Sequence, residues 1–225
     1  MRVVSPGLAR LYSHARDLLQ LSVSLIDDRD IADEDVVEAR SYEGELQGLS
    51  VGRLDSDKNP LLLPEIMALL RRDDAAWRLV AVGKGALAPA VADRARGLGV
   101  DDAVELRGYV RHGAELGGLY RSSHAFLHVS TTEGLPQVLF EAHGAGLPIV
   151  ATDVGGVAAA LGHGDRGLLV PRGDAAAAAD ACTRLRHDPQ LRERLIRNGL
   201  EFARAESIEA QLERLVPFLE AHRRR

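Results

Sequence analysis

From residue 48 onward the chain alternates between short apolar, β-branched runs and stretches with helical periodicity. The apolar runs fall at residues 49–54, 79–82, 104–110, 125–130, 149–152 and 168–170. Helical stretches separate them at 61–72, 87–98, 114–121, 136–145 and 157–161, and further helices at 174–187, 190–205 and 208–222 follow without intervening strands. Strands that are apolar on both sides belong to a parallel sheet covered on both faces, because helices must bury them twice. The expected class is therefore α/β, a doubly wound parallel sheet, whose ligands bind outside the carboxyl ends of the strands. Pro64 is expected to delay or bend the first helix.

Residues 1–47 break this rhythm. Val3-Val4-Ser5 reads as the end of a strand, 8–21 as a helix and 22–26 as a short strand. The stretch 27–48 is crowded with Asp27, Asp28, Asp30, Asp33, Glu34 and Asp35 and has linker composition. One strand–helix–strand unit is too small to own a core, so it reads as the remnant of another domain. The expected division is 1–47 as remnant plus linker, 48–206 as the main domain, and 207–225 as a terminal helix with a basic tail.

Composition narrows the function classes. A net charge of −5 argues against a nucleic-acid footprint. Aromatic residues make up only 4% against 46% hydrophobic, which suits tight helix-on-sheet packing. The single cysteine, Cys182, lies in an alanine-rich helical pattern and reads as a packing residue in a reducing compartment. No apolar run is long enough to span a bilayer, and the first residues lack the apolar segment of a secretion signal. A cytoplasmic location follows as the expectation. Arg223-Arg224-Arg225 suits a solvated tail, the favoured reading, or a peripheral contact with anionic lipid.

Candidate chemistry gathers at the strand ends. Ser130-Thr-Thr-Glu-Gly-Leu-Pro-Gln-Val-Leu-Phe-Glu141 places Glu133 and Glu141, with seven residues between them, across a strand-to-helix turn. Pro136 suits a first helical position, and the backbone N–H groups of Gly134, Leu135 and Gln137 would then face outward as a seat for an anion. Glu141 sits in an apolar run, where a carboxylate needs a partner, and a ribose diol is a good one. Glutamates near helix starts also serve the helix dipole alone. Arg53 and Lys58 lie beyond the first strand, where two cations could clamp a diphosphate. Further strand ends carry Val82-Gly83-Lys84-Gly85, Arg107-Gly108-Tyr109-Val110 and Thr152-Asp153-Val154-Gly155-Gly156.

Taken in order, Gly52-Arg53…Lys58-Asn59, Gly83-Lys84-Gly85, Gly108-Tyr109-Val110, Glu133-Gly134-Leu135-Pro136…Glu141-Ala142…Gly146-Leu147-Pro148 and Gly155-Gly156 closely resemble the C-terminal, donor-binding domain of retaining GT-B glycosyltransferases of the group-one family. The resemblance runs from about residue 48 to 210. It implies a Rossmann-like sheet forming the C-terminal half of a GT-B fold, and sugar transfer from a UDP-, GDP- or ADP-type donor without a metal or other cofactor. On this resemblance Arg53 and Lys58, beside Gly52, would hold the diphosphate and stabilise it as it leaves. Glu133, with the amides of Gly134, Leu135 and Gln137 around Pro136, would hold the donor sugar and distal phosphate. Glu141 would bind the ribose, and Tyr109 and Val110 would meet the base through their backbone, near the Gly83 turn.

The chain departs from the pattern in two ways. His143 stands where the family more often has Met or Ala, and reads as a packing variation. The acceptor-binding N-terminal domain is almost entirely absent, which points to truncation, a late start or a separate acceptor chain. The acceptor is unknown. The last helix would then expose Leu212, Leu215, Val216 and Leu219 and favour self-association. Competing readings are a catalytically inactive nucleotide-binding module that needs a partner chain, a metal-dependent GT-A transferase prompted by Asp55-Ser56-Asp57, a dehydrogenase and a GT-B epimerase. The dehydrogenase lacks its G-x-G-x-x-G fingerprint.

Overall fold

The computed structural model describes residues 2–4, 11, 13–15, 17–21 and 25–222. Strands β1 (Arg2–Val4) and β2 (Leu18–Gln20) pair in parallel as a separate two-stranded sheet. The main sheet has six parallel strands: β3 (Leu46–Val51), β4 (Trp77–Val82), β5 (Val104–Gly108), β6 (Ala125–His128), β7 (Ile149–Thr152) and β8 (Leu168–Val170). Its order is β5-β4-β3-β6-β7-β8. The chain therefore builds outward from β3 to one edge, then returns to lay β6 on the other side of β3. The crevice left between β3 and β6 is the topological switch point of a doubly wound, Rossmann-like sheet.

Helices cover both faces. They are α1 (Glu34–Glu38), α2 (Leu62–Asp73), α3 (Ala88–Leu98), α4 (Ala114–Ser122), α5 (Gln137–Gly144), α6 (Val157–Ala160), α7 (Ala175–His187), α8 (Pro189–Ala205) and α9 (Ile208–His222). Alternate residues along the inner strands feed two cores, whereas edge strand β5 packs only one side, the half-buried Val104 and Leu106, and exposes Glu105 and Arg107. Leu79 and Ala81 of β4 join Leu63, Ile66, Ala178 and Leu185 from α2 and α7. Val80 and Val82 join Leu116, Leu139 and Val157 from α4, α5 and α6. The continuous apolar strands read from the sequence exist because each must satisfy both cores.

The structure moves several boundaries. The strand expected at 49–54 is Leu46–Val51, which frees residues 52–54 for the loop beyond its carboxyl end. Within the helix expected over 8–21, Leu18–Gln20 form a strand, because a second extended segment is needed to pair with β1. Of the rest of that helix, residues 11, 13–15, 17 and 21 are not α-helical, and residues 25 and 26 of the strand expected at 22–26 are irregular; residues 8–10, 12, 16, 22–24 and the tail 223–225 lie outside the described residues. The acidic stretch with linker composition is folded onto the domain. Ile26 packs with Phe140 and Ala203, the Ala32 N–H donates to the Gly144 carbonyl at 2.7 Å, and the buried Tyr42 hydroxyl donates to the His124 carbonyl at 2.8 Å. Asp28, Asp30, Asp33 and Asp35 are exposed while Ile26, Ala32 and Tyr42 are buried, so average composition hides the contact.

Pro64 is harmless at the third position of α2, because first-turn N–H groups have no intrahelical acceptor to lose. On α9, Ile208, Leu212, Val216 and Leu219 are exposed, whereas Leu215 is half-buried. His143 is fully enclosed between α5 and α8 and lies edge-on to Phe202, with ring centroids 5.6 Å apart. Burial, helped by the nearby Arg166 guanidinium, pushes its pKa down to about 3. His143 is a neutral packing residue.

This packing inverts a helix-propensity rule. Replacing an interior helical Gly by Ala ordinarily stabilises by about 0.5–1 kcal/mol. At Gly199 a Cβ would meet His143 Nδ1 at 2.5 Å, whereas at Gly97 of α3 it would meet nothing within 4 Å. Gly199→Ala is therefore expected to destabilise by about 1–3 kcal/mol through overpacking, while Gly97→Ala stabilises. Denaturant unfolding of the two variants beside the parent checks the opposite signs.

Candidate functional site

At the switch point the carboxyl ends of β3 and β6 frame a cleft of about 130 Å³, lined by Gly52, Arg53, Lys58, His128, Ser130, Glu133, Pro136 and Gln137 among others. The walls are set by backbone zippering beyond the strands. Gly52 N–H donates to Val82 O at 2.9 Å, Gly83 N–H to Gly108 O at 2.8 Å, and Leu54 N–H to Lys84 O at 2.9 Å. The loop after β3 makes a 3-10 turn, Ser56–Lys58, and ends in a left-handed Asn59 with φ of 47°. That turn is pinned to the β6 side, because Thr131 donates to the Asp57 carbonyl from its N–H at 2.8 Å and its hydroxyl at 3.1 Å.

Glu133 is the centre of the cleft. Its Oε1 accepts from Lys58 Nζ at 2.5 Å and from Ser130 Oγ at 2.6 Å, and His128 Nε2 lies 3.0 Å away. Burial works against the charge, but the His128 imidazole, the Lys58 ammonium and the Ser130 hydroxyl outweigh it and hold the carboxyl at about 2. Glu133 is thus a fixed anion. Arg53 is more exposed and forks onto Asp55 Oδ2 and Asp57 Oδ2, both at 2.9 Å. Asp55 is itself held by the Ala86 N–H at 3.0 Å. The Asp55-Ser56-Asp57 carboxylates that suggested a metal motif are therefore turned onto Arg53. Among the described residues no group of His, Cys, Asp and Glu has metal-ligating geometry.

Glycines divide into two kinds here. At Gly83, with φ of 143°, a Cβ would fall 1.8 Å from Gly52 O, and at Gly155, with φ of 53°, it would fall 1.9 Å from Glu133 O. These glycines, like Gly156 against Gly134 O at 1.9 Å, let one backbone lie directly on another. Gly52 and Gly134 differ, for a Cβ there would meet nothing within 4 Å. Their bare side faces open space at the rim of the cleft. No side chain caps the start of α5 behind Pro136, so the positive end of that helix is left for a ligand.

The expected residues do not all share one pocket. Arg53, Lys58, Glu133, Gly52, Pro136 and Gln137 converge. Glu141, in the second turn of α5, opens instead onto a neighbouring pocket of about 50 Å³ with Leu116, Gly113 and Tyr120. There its Oε2 accepts from the Tyr120 hydroxyl at 2.7 Å. Burial and the Glu141 charge raise the Tyr120 pKa well above its ordinary value, so the phenol stays a donor. Tyr109 is exposed and Val110 buried at the end of β5, while Gly83, Gly134 and Leu135 contribute backbone beside the cleft. Sequence reasoning missed His128, Tyr120 and the Asp57 pairing. A histidine closing an otherwise apolar strand was the one available signal.

A doubly wound sheet with cations and an uncapped helix start at its switch point defines a class of anion-binding α/β domains. The chain matches the group 1 glycosyl transferases over residues 32–202 and belongs to that family. The D-inositol 3-phosphate glycosyltransferase of Actinosynnema mirum is 35% identical over 175 residues, covering 74% of this chain and 42% of that one. The exopolysaccharide phosphotransferase of Streptomyces coelicolor is 38% identical over 140 residues, covering 62% and 15%. Among solved structures, Anabaena HepE in complex with UDP matches with a TM-score of 0.80 at 16% identity, covering 97% of this chain and 63% of that one. The C-terminal domain of the group 1 protein LpcC from Francisella tularensis matches with a TM-score of 0.68 at 18% identity, covering 81% and 99%. These structural likenesses establish the Rossmann-like fold of GT-B glycosyltransferases. The chain spans less than half the length of the curated relatives it matches.

The depressed Glu133 pKa has a consequence for stability. The folded value, about 2, lies below the reference value of 4.5. The carboxylate's contribution is thus complete above pH 4.5 and is lost as pH falls toward 2. Glu133→Gln is expected to cost about 1–3 kcal/mol at neutral pH, by leaving buried donors without their anion. The variant should also lose less stability than the parent across that acid window, as read by urea unfolding at several pH values.

Proposed function

We propose that residues 48–206 form the donor-binding domain of a retaining, metal-independent glycosyltransferase that uses a nucleoside diphosphate sugar. The observation that carries this reading is the convergence of Arg53, Lys58 and the start of α5 on one cleft at the switch point. The family membership and the UDP bound by HepE support it. Residues 1–47 are assigned to the acceptor side and its linker, and 207–225 to a crossover helix and basic tail. The acceptor is held by a companion domain, in the same polypeptide, in a separate chain or through self-association. Among the described residues no helix is long and apolar enough to cross a membrane. The reading places the domain in the cytoplasm, with the basic tail solvated and peripheral contact at the membrane surface as the alternative.

In this reading the diphosphate lies over the bare sides of Gly52 and Gly134, with Arg53 and Lys58 on its oxygens and the α5 amides at its distal phosphate. Glu141, oriented by Tyr120, takes the ribose hydroxyls, and the backbone at Tyr109 and Val110 meets the base. As the bond between the anomeric carbon and the phosphate oxygen breaks, negative charge grows on the leaving diphosphate, where the cations and amides already point. The acceptor hydroxyl forms the new bond on the same face and passes its proton to the departing phosphate oxygen. Glu133, held ionised by its donors, fixes Lys58 and receives sugar hydroxyls. It takes no proton.

Calorimetric titration with UDP, GDP and ADP, in buffer containing EDTA, tests this directly. One of them is expected to bind at micromolar affinity. Arg53→Ala and Lys58→Ala should each weaken it by about 10- to 100-fold, the range for a lost charge-assisted hydrogen bond. Glu141→Ala should weaken it as well. Parent-like affinity in all three variants would sink the site assignment, and dependence on added divalent metal would sink the metal-free mechanism.

A further inference from the structure

The two cations assigned to the diphosphate are not idle. A single carboxylate oxygen, Asp57 Oδ2, lies 2.9 Å from Arg53 Nη2 and 3.9 Å from Lys58 Nζ. It sits between them on the loop after β3, where a bridging phosphate oxygen would have to go. Its surroundings separate what is fixed from what can move. The Asp57 carbonyl is clamped by both donors of Thr131, and the turn that carries it is closed by the Lys58 N–H on the Asp55 carbonyl at 3.0 Å. The Asp57 side chain is 34% exposed. Asp55 differs. It touches only Arg53 of the pair, at 2.9 Å, and its other oxygen is tied to the Ala86 N–H at 3.0 Å.

We propose that Asp57 is a resident counter-anion of the donor site: it pairs with Arg53 and stands beside Lys58, is displaced by the incoming diphosphate, and returns to help expel the nucleoside diphosphate after transfer. This rests on the donor reading above and adds to it a competitor built into the chain. Asp55 is the fixed partner that keeps the guanidinium aimed at the cleft. A diphosphate offers more charge and more acceptor oxygens than one carboxylate, so it wins the exchange. The carboxylate still subtracts from the net affinity, and that keeps the spent nucleotide from being held too tightly.

The competitor role and a merely orienting role predict opposite signs. Binding of UDP, GDP and ADP, and of pyrophosphate as a base-free probe, is measured by calorimetry and stopped-flow on the parent, Asp57→Asn and Asp55→Asn. If Asp57 competes, Asp57→Asn binds the preferred diphosphate about three- to tenfold tighter, with a slower dissociation rate, as expected for removal of a partly exposed anion facing two cations. Pyrophosphate shifts in the same direction, and Asp55→Asn binds more weakly. If Asp57 only orients Arg53, Asp57→Asn weakens binding like Asp55→Asn, and the proposal is overturned. Unchanged affinity also overturns it, while leaving the donor reading intact. Failure of every protein to bind any of these probes, with the fold verified by circular dichroism, removes the donor reading and this inference with it.

Discussion

The bridge between Lys58 and Glu133 is the interaction on which the rest of the site depends. It joins the loop after β3 to the loop after β6 across the switch point, two segments separated by 75 positions in the chain. Both partners are largely enclosed, so each would be costly without the other. Ser130 adds a donor from the β6 side, His128 lies 3.0 Å from the same carboxylate, and Thr131 ties the backbone of the same loops together. The sheet brings these strand ends side by side, and the charged network keeps them at a fixed spacing.

That arrangement explains why the site divides its tasks. A carboxylate kept ionised by Lys58, Ser130 and the nearby His128 ring is a poor proton acceptor and a good structural anion. In the proposed reading, charge compensation of a departing phosphate therefore falls to Arg53, Lys58 and the backbone of α5. Glu141 belongs to a different microenvironment, one wall over, where Tyr120 rather than a cation fixes it. Two glutamates that look equivalent in the sequence are thus distinguished by what donates to them.

Most of the fold was legible. Strands β7 and β8 fall where the apolar runs place them, and α9 spans its expected residues, because a strand buried on both faces leaves a continuous apolar signature. The order of strands was not legible, since periodicity carries no information about neighbours. The stretch from Ile26 to Tyr42 was misread for a related reason: its few inward residues are diluted by acidic ones that face solvent. Within the site, Arg53, Lys58 and Glu133 stood out as charges at strand ends. His128 and Asp57 did not: His128 meets Glu133 only because the loop after β6 folds back on its strand, and the Asp57 carbonyl meets Thr131 across the crevice.

The glycines around the cleft carry a lesson about how such a domain tolerates change. Gly83, Gly155 and Gly156 are locked by backbone lying against backbone, so their loss is felt by the fold itself. Gly52 and Gly134 border emptiness, and the folded chain has no steric need of them. A survey of variants scored by thermal stability would rank the first group as essential and pass over the second. One scored by ligand capture would value both. The difference between the two maps would trace the outline of the ligand.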